Sequence, residues 1–234
     1  MKENKEDVQI HKELEAVSDE EKKIVLPRFF KTGKGEYAEG DKFLGVIVPE
    51  TRKVAKKHKD TTYDVIEALL ESEWHECRLC GLMILIEKYR KDPVNVVEFY
   101  LQHLKGINNW DLVDLSAPYI LGDYLAGQES HDILYVLANS QIMWEQRIAV
   151  VSTLMLIRKG MYGDTIRLAE KFLDTRHDLM QKAVGWMLRE VGKRDIDTLI
   201  RFLEIHKDEM PRTMLRYAIE KFPAEQRRYF MGRK

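Results

Sequence analysis

The chain has 234 residues, 44% of them hydrophobic and 33% charged, which excludes a disordered chain and a membrane-spanning one. Only 13 Gly and 6 Pro are present, too few for the frequent tight turns of an all-β sandwich. The net charge of −1 argues at face value against a nucleic-acid binder, but it averages two unlike parts: residues 147–234 hold 19 basic and 12 acidic residues, and the first 146 hold 19 and 27.

Such a split fits a polyanion-binding face, and it fits equally well an uneven solvated helix surface. Residues 1–25 are expected to form a leading helix or a frayed N-terminus. They contain no apolar stretch of the kind that opens a signal peptide, and the chain has no run of 18 apolar residues. A cytoplasmic protein is expected. Gly33, Gly35 and Gly40 follow no strand pattern and so match neither a Walker loop nor a dinucleotide fingerprint. No G-x-S-x-G and no H-E-x-x-H occurs.

From about Thr62 onward, apolar residues recur at intervals of three and four, the spacing of an amphipathic helix. Val65, Ile66, Leu69 and Leu70 start one stripe; Leu79, Leu82, Met83 and Ile86 form the next. Cys77 and Cys80 lie three apart on one helix face, followed by Gly81, Leu82 and Ile84, and are expected to be small core residues. As a zinc site they would need two more ligands, and only His75 is close. Breaks are expected at 91–93, 106–109, Gly127, Gly160, 174–178, Gly192 and 207–211. Pro93 and Pro211 suit a first helical turn, and Asn109 suits an N-cap.

Taking Trp74, Trp110, Trp144, Leu179 and Thr213 as equivalent points gives intervals of 36, 34, 35 and 34 residues. That period suits a two-helix repeat stacked into a solenoid whose concave groove is lined by one helix of each pair. Three residues beyond each anchor stand Cys77, Val113, Arg147, Lys182 and Arg216. The last three are basic and are expected to project along one face, spaced to meet phosphates.

The most unusual stretch is Asn108-Asn109-Trp110-Asp111-Leu112-Val113-Asp114. Trp110 and Asp114, four apart, share a face at the start of a helix, where the macrodipole favours an ionised carboxylate. Asp111, in the first turn, suits capping better than reactivity. Trp110, Trp144 and Trp186 come from three successive repeats, two of them near helix starts, and Gly185 before Trp186 would permit close backbone approach. Aromatic faces attract cations, so such aromatics with one carboxylate and an arginine suit a flat, cationic nucleobase. The plainer alternative makes Trp110 a core residue and Asp114 a support for the helix start.

These residues carry a resemblance to the AlkD family of DNA alkylation-repair glycosylases, which are HEAT-like repeat proteins. It runs through residues 29–37 (FFKTGKGEY), 43–46 (FLGV), 48–53 (VPETRK), 109–114 (NWDLVD), 144–149 (WEQRIA) and 181–190 (QKAVGWMLRE). The resemblance implies one all-α domain over 1–234, a right-handed superhelical solenoid with a concave DNA-binding groove. It implies Asp114 as the catalytic carboxylate, Trp110 and Trp186 as aromatic walls, and Arg147 as a contact to the DNA backbone, with Lys182 a further candidate. Tyr37 falls near a family aromatic ahead of the F-L-G segment, with a spacing about one residue shorter. The implied substrates are N3- and N7-alkylated purines in double-stranded DNA, such as 3-methyladenine and 7-methylguanine, excised without a metal or cofactor by a monomer. A non-catalytic repeat module that binds DNA structures or a protein partner would share the fold, the period and the basic ladder. It would differ only at Asp114 and its neighbours.

Overall fold

The computed structural model describes residues 5–232. Among them the regular structure is helical apart from one isolated bridge between Lys42 and Trp74. Two compact units divide in sequence between Ser116 and Ala117.

The first unit contains α1 (Lys5–Glu15), α2 (Glu20–Phe29), α3 (Val48–Lys57), α4 (Tyr63–Leu70), α5 (His75–Tyr89), α6 (Pro93–Gln102) and α7 (Trp110–Ser116), with a 3₁₀ turn at Leu104–Gly106. The leading helix is α1. It is followed by α2, whose N-cap Asp19 accepts the Lys22 N–H at 3.1 Å. The hub is α5, which packs against α1, α3, α4, α6 and α7. Every residue from His75 to Leu85 is buried, including both cysteines. Burial pushes both thiols up, Cys77 to about 12, so neither is a thiolate at neutral pH. Gly106 lets the chain pass close against the end of α4: a Cβ there would stand 2.5 Å from the Leu70 carbonyl oxygen.

The second unit opens with a π-helix at Pro118–Gly122 and continues as α8 (Asp123–Leu125), α9 (Asp132–Ala138), α10 (Met143–Arg158), α11 (Gly163–Lys171), α12 (Asp178–Gly192), α13 (Ile196–His206), α14 (Arg212–Ala218) and α15 (Ala224–Met231). Here α10 packs against the π-helix, α9, α11 and α12, while α12 also packs against α13 and α14. The pairs α9–α10 and α11–α12 are joined through buried Asp164, which accepts from the Tyr135 hydroxyl at 2.5 Å, Arg167 at 2.8 Å and His131 at 2.7 Å.

The repeat register expected from the sequence marks the starts of the second helices. Trp74 is the N-cap of α5 and Trp110 the first residue of α7; Trp144, Leu179 and Thr213 are the second residues of α10, α12 and α14. Pro93 opens α6 as expected, whereas Pro211 sits one residue ahead of α14, at its N-cap. Among the described residues no helix is long and apolar enough to cross a membrane.

The α12–α14 packing depends on Gly185, where a Cβ would stand 2.5 Å from the Met214 oxygen and 2.6 Å from the Tyr217 Cβ. Gly185→Ala is therefore expected to lower stability by about 2 kcal/mol or more in urea unfolding. Gly163→Ala, at a helix start where the nearest atom is 4.0 Å away, should leave stability equal or up to about 1 kcal/mol higher. Equal losses in both variants would show that the close approach is unimportant.

Candidate functional site

The start of α7 is the best-organised polar and aromatic cluster in the first unit. The Asn109 carbonyl accepts the Val113 N–H at 3.1 Å, as an N-cap carbonyl should, but its side chain takes the Trp110 N–H at 2.8 Å rather than one further into the turn. Trp110 and Asp114 follow one turn apart, and both are half-buried, so neither is enclosed core. The Trp110 ring stacks on Phe30, centroids 5.4 Å apart and 20° from parallel, and meets Phe29 edge-on at 6.0 Å. Phe30 in turn stacks on Phe43, and Phe43 on His75. Phe29 remains 59% exposed beside Trp110.

Asp111 turns away from this aromatic layer and into α5. One carboxylate oxygen accepts the Leu112 N–H at 2.9 Å and the other lies 2.8 Å from His75 Nε2. His75 Nδ1 lies 3.2 Å from Asp41, whose second oxygen takes Arg78 at 2.6 Å. The His75 side chain is 2% exposed and both ring nitrogens face carboxylates, which accept only. Burial alone would drive the ring proton off. The bonds to Asp111 and Asp41, together with their charges, outweigh it and raise the pKa to about 9. Burial likewise opposes the charge on Asp41, yet His75 and Arg78 hold its carboxyl below the usual range. The result is a cluster of two cations and two anions in which only Asp111 keeps appreciable exposure.

The neighbouring residue, Glu76, fixes the segment that carries Phe43. Buried at the start of α5, it accepts the N–H groups of Leu44, Gly45 and Val46 at 2.8, 2.9 and 3.1 Å. Gly45 sits at φ +85°, and a Cβ would stand 2.6 Å from the Asp19 carbonyl oxygen, so only glycine fits this turn. Tyr37 is half-buried in the loop between α2 and α3.

In the second unit Arg147, Lys182 and Arg216 hold equivalent register, each the fifth residue of its helix. Their exposure is not equivalent, which corrects the expectation that all three project along one face. Arg147 is 4% exposed and donates to the Leu179 carbonyl at the start of α12. Lys182 is half-buried and pairs with Asp178 at 2.6 Å; Arg216 is exposed and donates to Thr213 at 3.3 Å. Trp144 and Trp186 are half-buried. Gly185 brings α14, not a ligand, against the backbone of α12.

The sequence singled out neither His75 in its present role nor Phe29 and Phe30 as the neighbours of Trp110. The signal for the aromatics was the Phe-Phe pair flanked by Arg28 and Lys31. The partners of His75 lie 34 and 36 residues away and leave no local signature. Among the described residues no group of three or more His, Cys, Asp and Glu is arranged to hold a metal. A cleft of about 700 Å³ in the first unit is lined by Glu39, Asp41, Glu67, Glu71 and Glu73, with Arg78 and Lys105, and includes neither Trp110 nor Asp114. Its acidic rim is wrong for a polyanion.

A family model described as DNA alkylation repair enzyme matches residues 10–222. A solved structure described as "Predicted DNA alkylation repair enzyme from Enterococcus faecalis" is similar in fold, with a TM-score of 0.71 at 17% identity, covering 88% of this chain and 97% of that one. No curated protein matches the chain.

The buried imidazolium makes stability depend on pH. The His75 pKa rises from 6.5 unfolded to about 9 folded, so its contribution is complete below about pH 6.5 and is lost as pH rises through about 9. That window corresponds to something on the order of 3 kcal/mol. Urea midpoints measured across it should fall in the wild type and lose that component of the fall in His75→Gln; parallel curves would contradict the charged state.

Proposed function

Because the chain belongs to the family of DNA alkylation repair enzymes, we propose that it is a DNA glycosylase that releases N3- and N7-alkylated purines from duplex DNA. The observation that carries this reading is Asp114, one turn beyond Trp110 at the start of α7, in a half-buried setting backed by stacked aromatics. An alkyl group on purine N3 or N7 makes the base cationic, so the base leaves as a neutral purine with little help from an acid. The C1′–N bond breaks with its electron pair going to the base, and positive charge grows on the deoxyribose. Ionised Asp114 would stabilise that charge and orient the water that adds to C1′, whose proton passes to the carboxylate or to solvent. The face of Trp110 would favour the cationic lesion, and Trp186, in the second unit, would supply another aromatic contact to the DNA.

The phosphate contacts fall most readily to Arg216 and Lys182, whose side chains reach solvent. Arg147 is proposed as a backbone contact at the start of α10, although its link to Leu179 means that its removal would also loosen the α10–α12 packing. Tyr37 belongs to the same proposal as an N-terminal aromatic near the DNA.

Incubation of the wild type with N7-methylated duplex is expected to yield free 7-methylguanine and abasic sites. Asp114→Asn should reduce release by about 100-fold or more while leaving DNA affinity within about twofold. A wild type that binds the duplex but frees no base would instead establish a non-catalytic binding module. In a salt titration of DNA binding, Arg216→Ala should reduce the slope by about 1, the value of one lost phosphate contact. An unchanged slope would remove Arg216 from the interface.

A further inference from the structure

We infer that His75, held between Asp41 and Asp111, is the positioning residue that fixes the start of α7 and with it the placement of Trp110 and Asp114. Its consequence for base release rests on the glycosylase reading; the positioning itself does not.

The geometry carries the inference in three steps. Asp111 lies immediately after Trp110 and three residues before Asp114, so an anchor on Asp111 constrains the turn that presents both. That anchor is the 2.8 Å contact to His75 Nε2, and His75 is itself held from the other side by Asp41, whose carboxylate is tied to Arg78. The aromatic layer provides a second link: the His75 ring lies against Phe30 and Phe43, with centroids 4.9 and 4.6 Å away, and Phe30 carries Trp110 on its own ring. One buried ring therefore touches the turn through a charged contact at Asp111 and through a shared aromatic neighbour at Trp110.

The arrangement works only when both ring nitrogens carry protons. Neutral imidazole has a single N–H and would release either Asp41 or Asp111, leaving one carboxylate facing a lone pair. The other charged groups nearby are already engaged. Within α5, Glu76 is bound by three backbone N–H groups and Arg78 by Asp41 and the Ser72 carbonyl. From the loop before α3, Lys42 pairs with Glu73. From α1, His11 lies against the Cys77 sulfur. Asp111 and Asp114 are the acidic residues that α7 supplies. Its contact with His75 also engages Asp111, which separates the roles of two carboxylates three residues apart: Asp111 is an anchor, and Asp114 is the one assigned to chemistry.

The test combines single-turnover release of 7-methylguanine between pH 6.5 and 9.5 with the ¹⁵N–¹H resonance of the Trp110 indole over the same range. In the wild type both should change together, with a midpoint near the His75 value of about 9. Asp111→Asn keeps the size of the side chain and one acceptor but removes a charge that holds the ring proton. It should shift both midpoints down by about one pH unit. His75→Gln should lower the release rate by about tenfold or more, keep DNA affinity within about twofold, and abolish the common midpoint. If the wild type releases base and both variants match it in rate and pH profile, the inference is overturned. If the wild type releases no base, the glycosylase reading fails. The positioning is then decided by the indole resonance, and a signal unmoved by pH and unaltered in Asp111→Asn overturns it. Should His75→Gln fail to fold, Asp111→Asn decides the matter alone.

Discussion

Three of the second helices, α5, α10 and α12, are packed among several neighbours, and most of the protein's specific features stem from that enclosure. An ordinary surface helix shows water one face and can leave its first-turn groups solvated. In α5 that escape is closed, since its first residues, His75, Glu76 and Arg78 among them, are buried. A buried polar group without a partner costs about as much as several good contacts supply. Each of these side chains therefore reaches an adjacent segment: Glu76 collects three backbone N–H groups from residues 44–46, Arg78 and His75 share Asp41, and in the second unit Arg147 reaches the carbonyl of Leu179. Satisfying the polar groups and setting the register of successive helices are thus one act.

The start of α7 uses the same logic with a different outcome. Its inward carboxylate, Asp111, is absorbed by His75, while Trp110 and Asp114 keep part of their surface open. The residues just beyond α7 add to this local irregularity. Residue 118, four beyond Asp114, is a proline and has no N–H to return to the Asp114 carbonyl. The chain continues with Gly122 N–H bonded to the Ala117 carbonyl at 2.8 Å, a five-residue spacing that places a π-helix directly after α7 in the chain. Such π segments mark places where a regular helix has been given up, often beside functional residues. Gly122 then passes so close to the Ser152 carbonyl that no Cβ fits. Along the chain, the turn bearing Asp114 thus has a charged anchor before it and a broken hydrogen-bond ladder after it.

How much of this could be read in advance depended on the range of the interaction. The helical character beyond Thr62 and the repeat starts were legible because apolar spacing and a tryptophan-like anchor repeat locally, and the anchors fall within two residues of the helix starts. The burial of Cys77 and Cys80 was legible from their small apolar neighbours. The π-helix was not, although Pro118 was its visible cause, since a proline within an apolar run signals a break without specifying which hydrogen bonds replace the lost one. The burial of Arg147 was not legible, because register places a residue on a helix face but says nothing of how closely the next helix covers it. His75 stayed hidden for the same reason as Asp111: each partner looks unremarkable alone, and only packing brings them within 2.8 Å.

The charge distribution also changes meaning once the units are known. Divided at the unit boundary, the first part holds 19 basic and 23 acidic residues and the second 19 and 16, a milder contrast than a division at residue 147 gives. The protein is thus not a strongly basic clamp joined to an acidic appendage. Asp114 stands in the more acidic unit, where an ordinary stretch of DNA gains little from long-range attraction. On the proposed function, a strand bearing an alkylated purine differs from that stretch by one positive charge, located on the very group to be expelled. A carboxylate beside aromatic faces discriminates on that charge, whereas a dense basic surface would hold damaged and undamaged DNA alike. On the proposed function, a near-neutral chain is therefore not an obstacle to DNA repair chemistry, because the lesion's own positive charge gives a local carboxylate something to recognise.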